Sequence, residues 1–260
     1  MAKPEMIQMQ PGAPPPPPGN DQVWMPKPEG VRDTPPGLQY LTLIDRILIK
    51  PIQQLSEILL GWEMTNKYAI LNGNGEQLYY AFEESECCMR QCCGALRGFV
   101  IHIVDHFNKE VMRISRPLEC CSGCCWCAVP GSCCSHELQV EAPPGNVIGR
   151  VQQRRSGCSN AYIVLDQDET SILDLKGPCC CLMCGCQDKV FPVKTMSGEE
   201  IGEVRKTWGT LKEAFIDADN SGVSFPMDMA ILTKATMIGA TFLIEFMNFE
   251  STMSTFCMMN

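Results

Sequence analysis

The stretch 230–249, AILTKATMIGATFLIEFMNF, is apolar on every helical face and is interrupted only by Lys234 and Glu245. A helix of that kind has to be buried, in lipid or inside a protein. A bilayer span needs about 20 mostly apolar residues, whereas runs of roughly 10–14 are more often core helices. Only ten uncharged residues separate Lys234 from Glu245. A charge at the centre of a span costs about 2.5–3.5 kcal/mol, and one near an end can snorkel. The length rule therefore favours a core helix, and a single membrane span stands as the alternative.

What could enclose such a helix is read from residues 61 onward, where hydrophobicity alternates with period two. WEMTNKYAI and EQLYYAFE flank Asn72-Gly73-Asn74-Gly75, a strong hairpin signal. FVIHIVD pairs in the same way with VMRIS, ELQVEA with VIGRVQQ, YIVLD with SILDL, and KVFPVK with EIGEVRK. Short strands at this spacing predict a sandwich or barrel. FVIHIVDHFNKEVMRISRPLECC also resembles YIVLDQDETSILDLKGPCCC, and each leads into a hairpin bearing Ile148-Gly149 or Ile201-Gly202. A duplicated unit would place two cysteine segments in related positions of one closed sheet. A barrel of about ten to twelve strands is too wide for its own side chains to fill. The segment 230–249 is the obvious filler, with Ala235, Gly239 and Ala240 small enough for close backbone approach.

Upstream the composition changes. Eleven of nineteen prolines precede residue 37, and Pro14, Pro15, Pro16, Pro17 and Pro18 are continuous. Such a tail cannot bury a core and favours extended polyproline II. It also offers P-x-x-P ligands to SH3- and WW-type grooves. Residues 38–60 read as a helix, with Leu41, Ile44, Leu48, Leu55 and Leu59 at helical multiples and Pro51 as a kink.

The formal charge of −9 and the lack of a long basic run give no footprint for nucleic acid. An acidic chain is repelled by an anionic leaflet, so membrane residence calls for an anchor or a bridging cation. MAKPEMIQMQ has no apolar signal region, Ala2 excludes myristoylation, and no N-x-S/T acceptor occurs. The expected address is cytoplasmic, where eighteen cysteines argue against a disulfide framework.

Sixteen of those cysteines fall at 87–93, 120–134 and 179–186. Three readings stand open: acylation of a short multi-cysteine loop, a soft-metal site built from C-x-x-C pairs, or inert thiols. Acylation needs little else, since each buried CH₂ contributes about 0.8 kcal/mol and two signals make an anchor stable. Ahead of the apolar stretch, Asp217, Asp219 and Ser221 alternate, Gly222 stands where a sharp turn is needed, and Asp228 falls twelfth. That is the outline of a weak calcium loop, and an Asx-turn before a helix is the other reading. His102, His106 and His136 belong to no triad pattern and read as solvated or satisfied side chains. No phosphate-cradling glycine loop occurs.

Together these residues resemble the phospholipid scramblase family. The likeness runs from about residue 35 to 250 and includes PPGLQYL, the Cys-Cys pairs at 87–93 and APPGNVIG. It is closest in DADNSGVSFPMD followed by MIGATFLIEFMNFE. It implies a twelve-stranded tubby-like closed barrel around a central hydrophobic C-terminal helix, mainly β, behind a disordered Pro-rich N-terminus. The expected divisions are a tail over 1–36, a barrel domain over 37–250 with its helix at 229–249, and a short tail over 251–260. The core or membrane helix would carry Ala235, Gly239, Phe242, Ile244, Phe246 and Phe249. The resemblance also implies calcium-activated, ATP-independent phospholipid movement between leaflets, without covalent catalysis. The calcium ligands carried over are Asp217, Asp219, Ser221, Val223 through its carbonyl, Phe225 and Asp228. The palmitoylated run is Cys120, Cys121, Cys124, Cys125 and Cys127, which Ser122, Gly123 and Trp126 interrupt here. The implied partners are a phospholipid membrane at the cytoplasmic face of the plasma membrane and further copies of the chain. The rival reading is a membrane-tethered adaptor that recruits SH3-type partners.

Overall fold

The computed structural model describes residues 23–28, 34–52, 66–85, 93, 96–118, 127–130, 135–179, 188–207 and 220–247. The five hairpins expected from period-two alternation all form. They are β2 (Lys67–Asn72) with β3 (Gln77–Glu84), β4 (Phe99–Val104) with β5 (Glu110–Arg116), and β6 (Glu137–Glu141) with β7 (Val147–Arg154). β8 (Ser159–Asp166) with β9 (Ser171–Cys179), and β10 (Lys189–Thr195) with β11 (Glu200–Thr207), complete the set. Each strand pairs antiparallel with its sequence neighbour, and β1 (Arg46–Pro51) meets β12 (Asn220–Ser224) to close a twelve-stranded barrel. Closure leaves no edge for another chain to pair with.

Four of the hairpins use one local device. Their turns begin at Asn72, Asp105, Asp166 and Thr195; a side-chain oxygen of each of the first three accepts two backbone N–H groups of its own turn, and Thr195 Oγ1 accepts one. The fourth residue is left-handed: Gly75 at φ 82°, Asn108 at 59°, Glu169 at 61° and Gly198 at 90°. Each ladder shifts register beside its turn, as a bulged hairpin loop requires.

The two closing strands are where expectation fails. Instead of a helix over 38–60, Gln39–Leu43 forms a 3₁₀ turn and Arg46–Pro51 is β1, while 53–60 lie outside the described residues. Ile47 and Ile49 point inward, and Arg46, Leu48 and Lys50 point outward. The period is two, carried by two β-branched residues, and Pro51 cannot continue a helix in any case. Gly222 is not a turn glycine either. It lies extended in β12 between Leu48 and Arg205, and a Cβ there would sit 3.1 Å from Leu48 Cδ2.

Within the tail expected over 1–36, residues 23–28 lie against the barrel. Trp24 bridges Gln77 in parallel, Met25 N–H donates to the Gln77 carbonyl at 2.9 Å, and Gln77 N–H donates to the Val23 carbonyl at 2.8 Å.

Helix α1 (Ile231–Glu245) runs through the middle of the barrel, and everything from Lys234 to Ile244 is buried. It begins after the expected 229, with Pro226 in the preceding turn, and one wider turn follows at 246–247. Its contacts encircle it. Phe242 meets Tyr68 of β2 edge-on at 5.2 Å, and Phe246 stacks on Phe99 of β4 at 4.4 Å. Gly239 lets Val140 of β6 approach, since a Cβ would lie 2.6 Å from Val140 Cγ2. Gly149 of β7 does the same for Thr236, at 2.5 Å from its Oγ1. Burial of Met237, Ile238, Phe242, Leu243, Ile244 and Phe246 contributes on the order of 10 kcal/mol before ordering costs. Among the described residues no helix is long and apolar enough to cross a membrane.

Candidate functional site: a core helix fastened at both ends of the barrel

Antiparallel order gives the barrel two distinct ends. The five hairpin turns lie at one, the hairpin end. The connections that follow β1, β3, β5, β7, β9 and β11 open from the other. All three cysteine-rich segments belong to those connections, so the second is called the cysteine end. The two duplicated segments, after β5 and β9, are accordingly bounded by equivalent strand ends. Helix α1 enters the barrel at the hairpin end and leaves at the cysteine end.

The two charges that interrupt the apolar stretch fasten it. At the hairpin end Lys234 is fully buried, and its Nζ donates to the carbonyls of Leu41 at 3.0 Å, Ile44 at 2.8 Å and Met227 at 2.7 Å. The ammonium also lies 5.3 Å from the Phe225 ring centre. Burial lowers its pKa, against the opposing charges of Asp45 and Asp228. Chain segments on either side of the barrel closure thus converge on one cation.

At the cysteine end Glu245 accepts from Lys206 Nζ of β11 at 2.6 Å and from the Ser221 hydroxyl of β12. Beside it Arg97 grips Glu83 through two hydrogen bonds, at 2.7 and 2.9 Å, with both side chains almost wholly buried. Burial pushes the Glu83 carboxyl up, but Arg97 and the hydrogen bonds from Ser85 and Asn66 hold it below its ordinary value. Arg116 lies over the Phe99 ring at 4.6 Å and donates to the Arg97 carbonyl at 2.5 Å and to Met247 Sδ at 2.8 Å. His136 is buried here as well, and its Nε2 has no hydrogen-bond partner among the described residues. The expectation of a solvated or satisfied side chain therefore fails for His136. Burial, and then Arg116, push its pKa down to about 3, so the ring is neutral. The other two histidines behave as anticipated: His102 sits 2.8 Å from both Glu84 and Glu110, and exposed His106 lies 3.4 Å from the Tyr40 hydroxyl.

Of the six calcium ligands carried over by resemblance, Asp217 and Asp219 lie outside the described residues. The other four do not converge on one point. Ser221 is engaged with Glu245 at the cysteine end. Val223 is paired between Ile47 and Val204 with its side chain in the core, and Phe225 is buried near Lys234. Asp228 is exposed beyond the far end of β12. A five-residue strand spans about 16 Å, several times a calcium–oxygen bond.

Cys120, Cys121, Cys124 and Cys125 also lie outside the described residues, while Cys127 is described and exposed. No group of three His, Cys, Asp or Glu among the described residues could hold a metal. Ala235, Gly239, Phe242, Ile244 and Phe246 are all buried in the barrel, and Phe249 and Pro14 to Pro18 lie outside the description. Sequence reasoning treated Lys234 and Glu245 as interruptions and did not single out Glu83, Arg97, Lys206 or Arg116. The available signal was the placement of one charge near each end of an otherwise apolar helix.

The chain matches the Scramblase family model over residues 25–251. It is 43% identical to phospholipid scramblase 1 of Homo sapiens over 231 residues, covering 88% of this chain and 70% of that protein. It is 41% identical to phospholipid scramblase 2 of Bos taurus over 244 residues, covering 93% and 79%. It is 39% identical to phospholipid scramblase family member 5 of Homo sapiens over 246 residues, covering 91% and 88%. The matched region takes in every strand and the core helix, and on that ground the chain belongs to the phospholipid scramblase family.

Proposed function

We propose that the protein speeds the ATP-independent movement of phospholipids between membrane leaflets in response to calcium. The family match over 25–251, to relatives named phospholipid scramblases, is the observation that carries this reading. Lipid exchange down its gradient needs no covalent step, only a lower barrier for the head group. Calcium would be held by Asp217 and Asp219, with Ser221 as a third oxygen at the start of β12. Recruiting Ser221 would take it from Glu245 and so loosen the helix at the cysteine end. Purified protein in liposomes should speed dithionite access to labelled inner-leaflet lipid when calcium is added. Equal rates in the wild type and the Asp217→Ala/Asp219→Ala double variant would remove the calcium mechanism.

Attachment to the cytoplasmic face of the plasma membrane would come from acyl chains on Cys120, Cys121, Cys124, Cys125 and Cys127. The location of α1 inside the barrel supports acyl anchoring over a single span. Hydroxylamine deacylation followed by alkaline carbonate extraction should then release the protein. Pelleting of fully deacylated protein would instead favour a span. A lone apolar helix offers a head group no polar path, so exchange would require self-association or a locally disturbed bilayer.

The adaptor reading is favoured by one observation. Residues 23–28 dock beside the β2–β3 turn, at the end opposite the cysteine segments. A proline tail leaving from there would face away from an acylated end and be open to SH3- or WW-type partners. Partner capture that depends on residues 1–36, with lipid exchange at the protein-free rate, would establish this role in place of transport.

A further inference from the structure

A groove of about 340 Å³ runs along the outer face of β12. Two rows of residues across β1, β12 and β11 build it: Arg46–Ser224–Glu203 and Leu48–Gly222–Arg205. The central column has a glycine and a serine, so side chains from the flanking strands rise on both sides of a shallow floor. Neighbouring strands lie about 4.8 Å apart, which puts the two walls about 10 Å from each other. The arginines stand at diagonal corners, with Glu203 and Leu48 at the other two.

The charges in the groove are not equally occupied. Arg205 Nε donates to Glu203 at 2.9 Å, and Asp188 lies 3.9 Å from the same guanidinium. Glu203 N–H donates to Ser224 Oγ at 3.3 Å. Arg46, exposed at the rim, makes no ion pair with a described residue. Guanidinium groups match phosphate oxygens in a forked geometry, and a carboxylate matches an ammonium. The groove therefore offers an anion site and a cation site side by side, with Leu48 as an apolar shoulder.

We propose that this groove binds a zwitterionic phosphodiester head group. Arg46 and Arg205 hold the phosphate above Gly222 and Ser224, Glu203 receives the amine, and Leu48 meets the glycerol side. The assignment rests on the lipid-transport reading for its substrate class and adds the residues that recognise it. It also places the head group on the same strand that fastens α1 through Ser221.

The test uses soluble ligands, so it does not depend on transport. Full-length protein is titrated by calorimetry with glycerophosphoethanolamine, with inorganic phosphate and with ethanolamine. Glycerophosphoethanolamine should bind more tightly than either fragment. Arg46→Gln should weaken it about tenfold, the effect of one charge-assisted contact. Glu203→Gln should weaken glycerophosphoethanolamine but leave or strengthen phosphate binding, because Arg205 is released. Gly222→Val, which fills the floor, should abolish both, with thermal unfolding confirming that each variant is folded. Binding unchanged in Arg46→Gln and Gly222→Val would overturn the site. Equal affinity for phosphate and glycerophosphoethanolamine, with no effect of Glu203→Gln, would overturn the head-group assignment in favour of a free-phosphate site. Head-group binding by a protein that does not exchange lipid in liposomes would leave the groove standing and remove transport.

Discussion

Short turns close the hairpin end of this barrel, and each of four is capped by a side chain of its own first residue. Apart from the Lys234 ammonium at the hairpin end, the buried charge gathers at the cysteine end, with Glu83 on Arg97, Glu245 on Lys206, and Arg116 beside a neutral His136. The first kind of closure is local and separable, because each turn satisfies itself. The second is shared among β3, β4, β5, β6, β11, β12 and α1, and removing one partner strands another. The cysteine end is therefore the place where a perturbation, such as calcium at the start of β12, could reach the helix.

The largest effect should come from breaking the cysteine-end cluster. Arg97→Ala leaves Glu83 buried without its cation and should cost about 3–5 kcal/mol in urea unfolding. A loss below about 1 kcal/mol would show that water or another group satisfies Glu83. Lys234→Met, at the hairpin end, removes the charge together with its desolvation cost and leaves neutral carbonyls. It should cost less, about 1–3 kcal/mol in the same assay.

Acid should sharpen the contrast. His136 has a folded pKa of about 3 against an ordinary 6.5, so the unfolded chain binds the extra proton between those values. Stability should then be fully present above about pH 7 and fall as the pH drops through that window. Glu83, whose folded pKa is depressed, adds to the loss on the acid side of the ordinary carboxylate value. His136→Phe should flatten the decline between pH 6.5 and 4.5, measured by thermal unfolding across pH. An unchanged slope would mean that His136 is protonated in the folded protein.

The smallest effect belongs to a turn. Glu169 is a non-glycine residue at φ 61°, a conformation that costs an L residue about 1–2 kcal/mol. Glu169→Gly should gain about 0.5–1 kcal/mol after loss of the exposed Arg150 pair, and lipid exchange should not change. Destabilisation would show that the Arg150 pair outweighs the backbone strain.

The five hairpins were legible because each couples period-two alternation to turn residues a few positions away. The burial of α1 was legible from its all-round apolarity and its short uncharged run. The expectation that cysteine segments would occupy related positions followed from the repeat, and the strand ends that bound them agree. The calcium pattern shows how local reading falls short. Asp-x-Asp-x-Ser-Gly describes a loop by spacing alone, yet Ser221 and Gly222 are claimed by neighbours at residues 48–49 and 205–206.

What this sequence determined by itself is the pairing of five hairpins and the need to bury one apolar segment. Only the tertiary structure decided that 46–51 and 220–224 are strands. Each is too short and too ambiguous in pattern to declare itself, and each becomes a strand because the other closes the ladder. The same holds for Lys234 and Glu245, which read as defects in an apolar run. Their partners come from distant segments, and a buried charge is tolerable only where folding brings its partners to it.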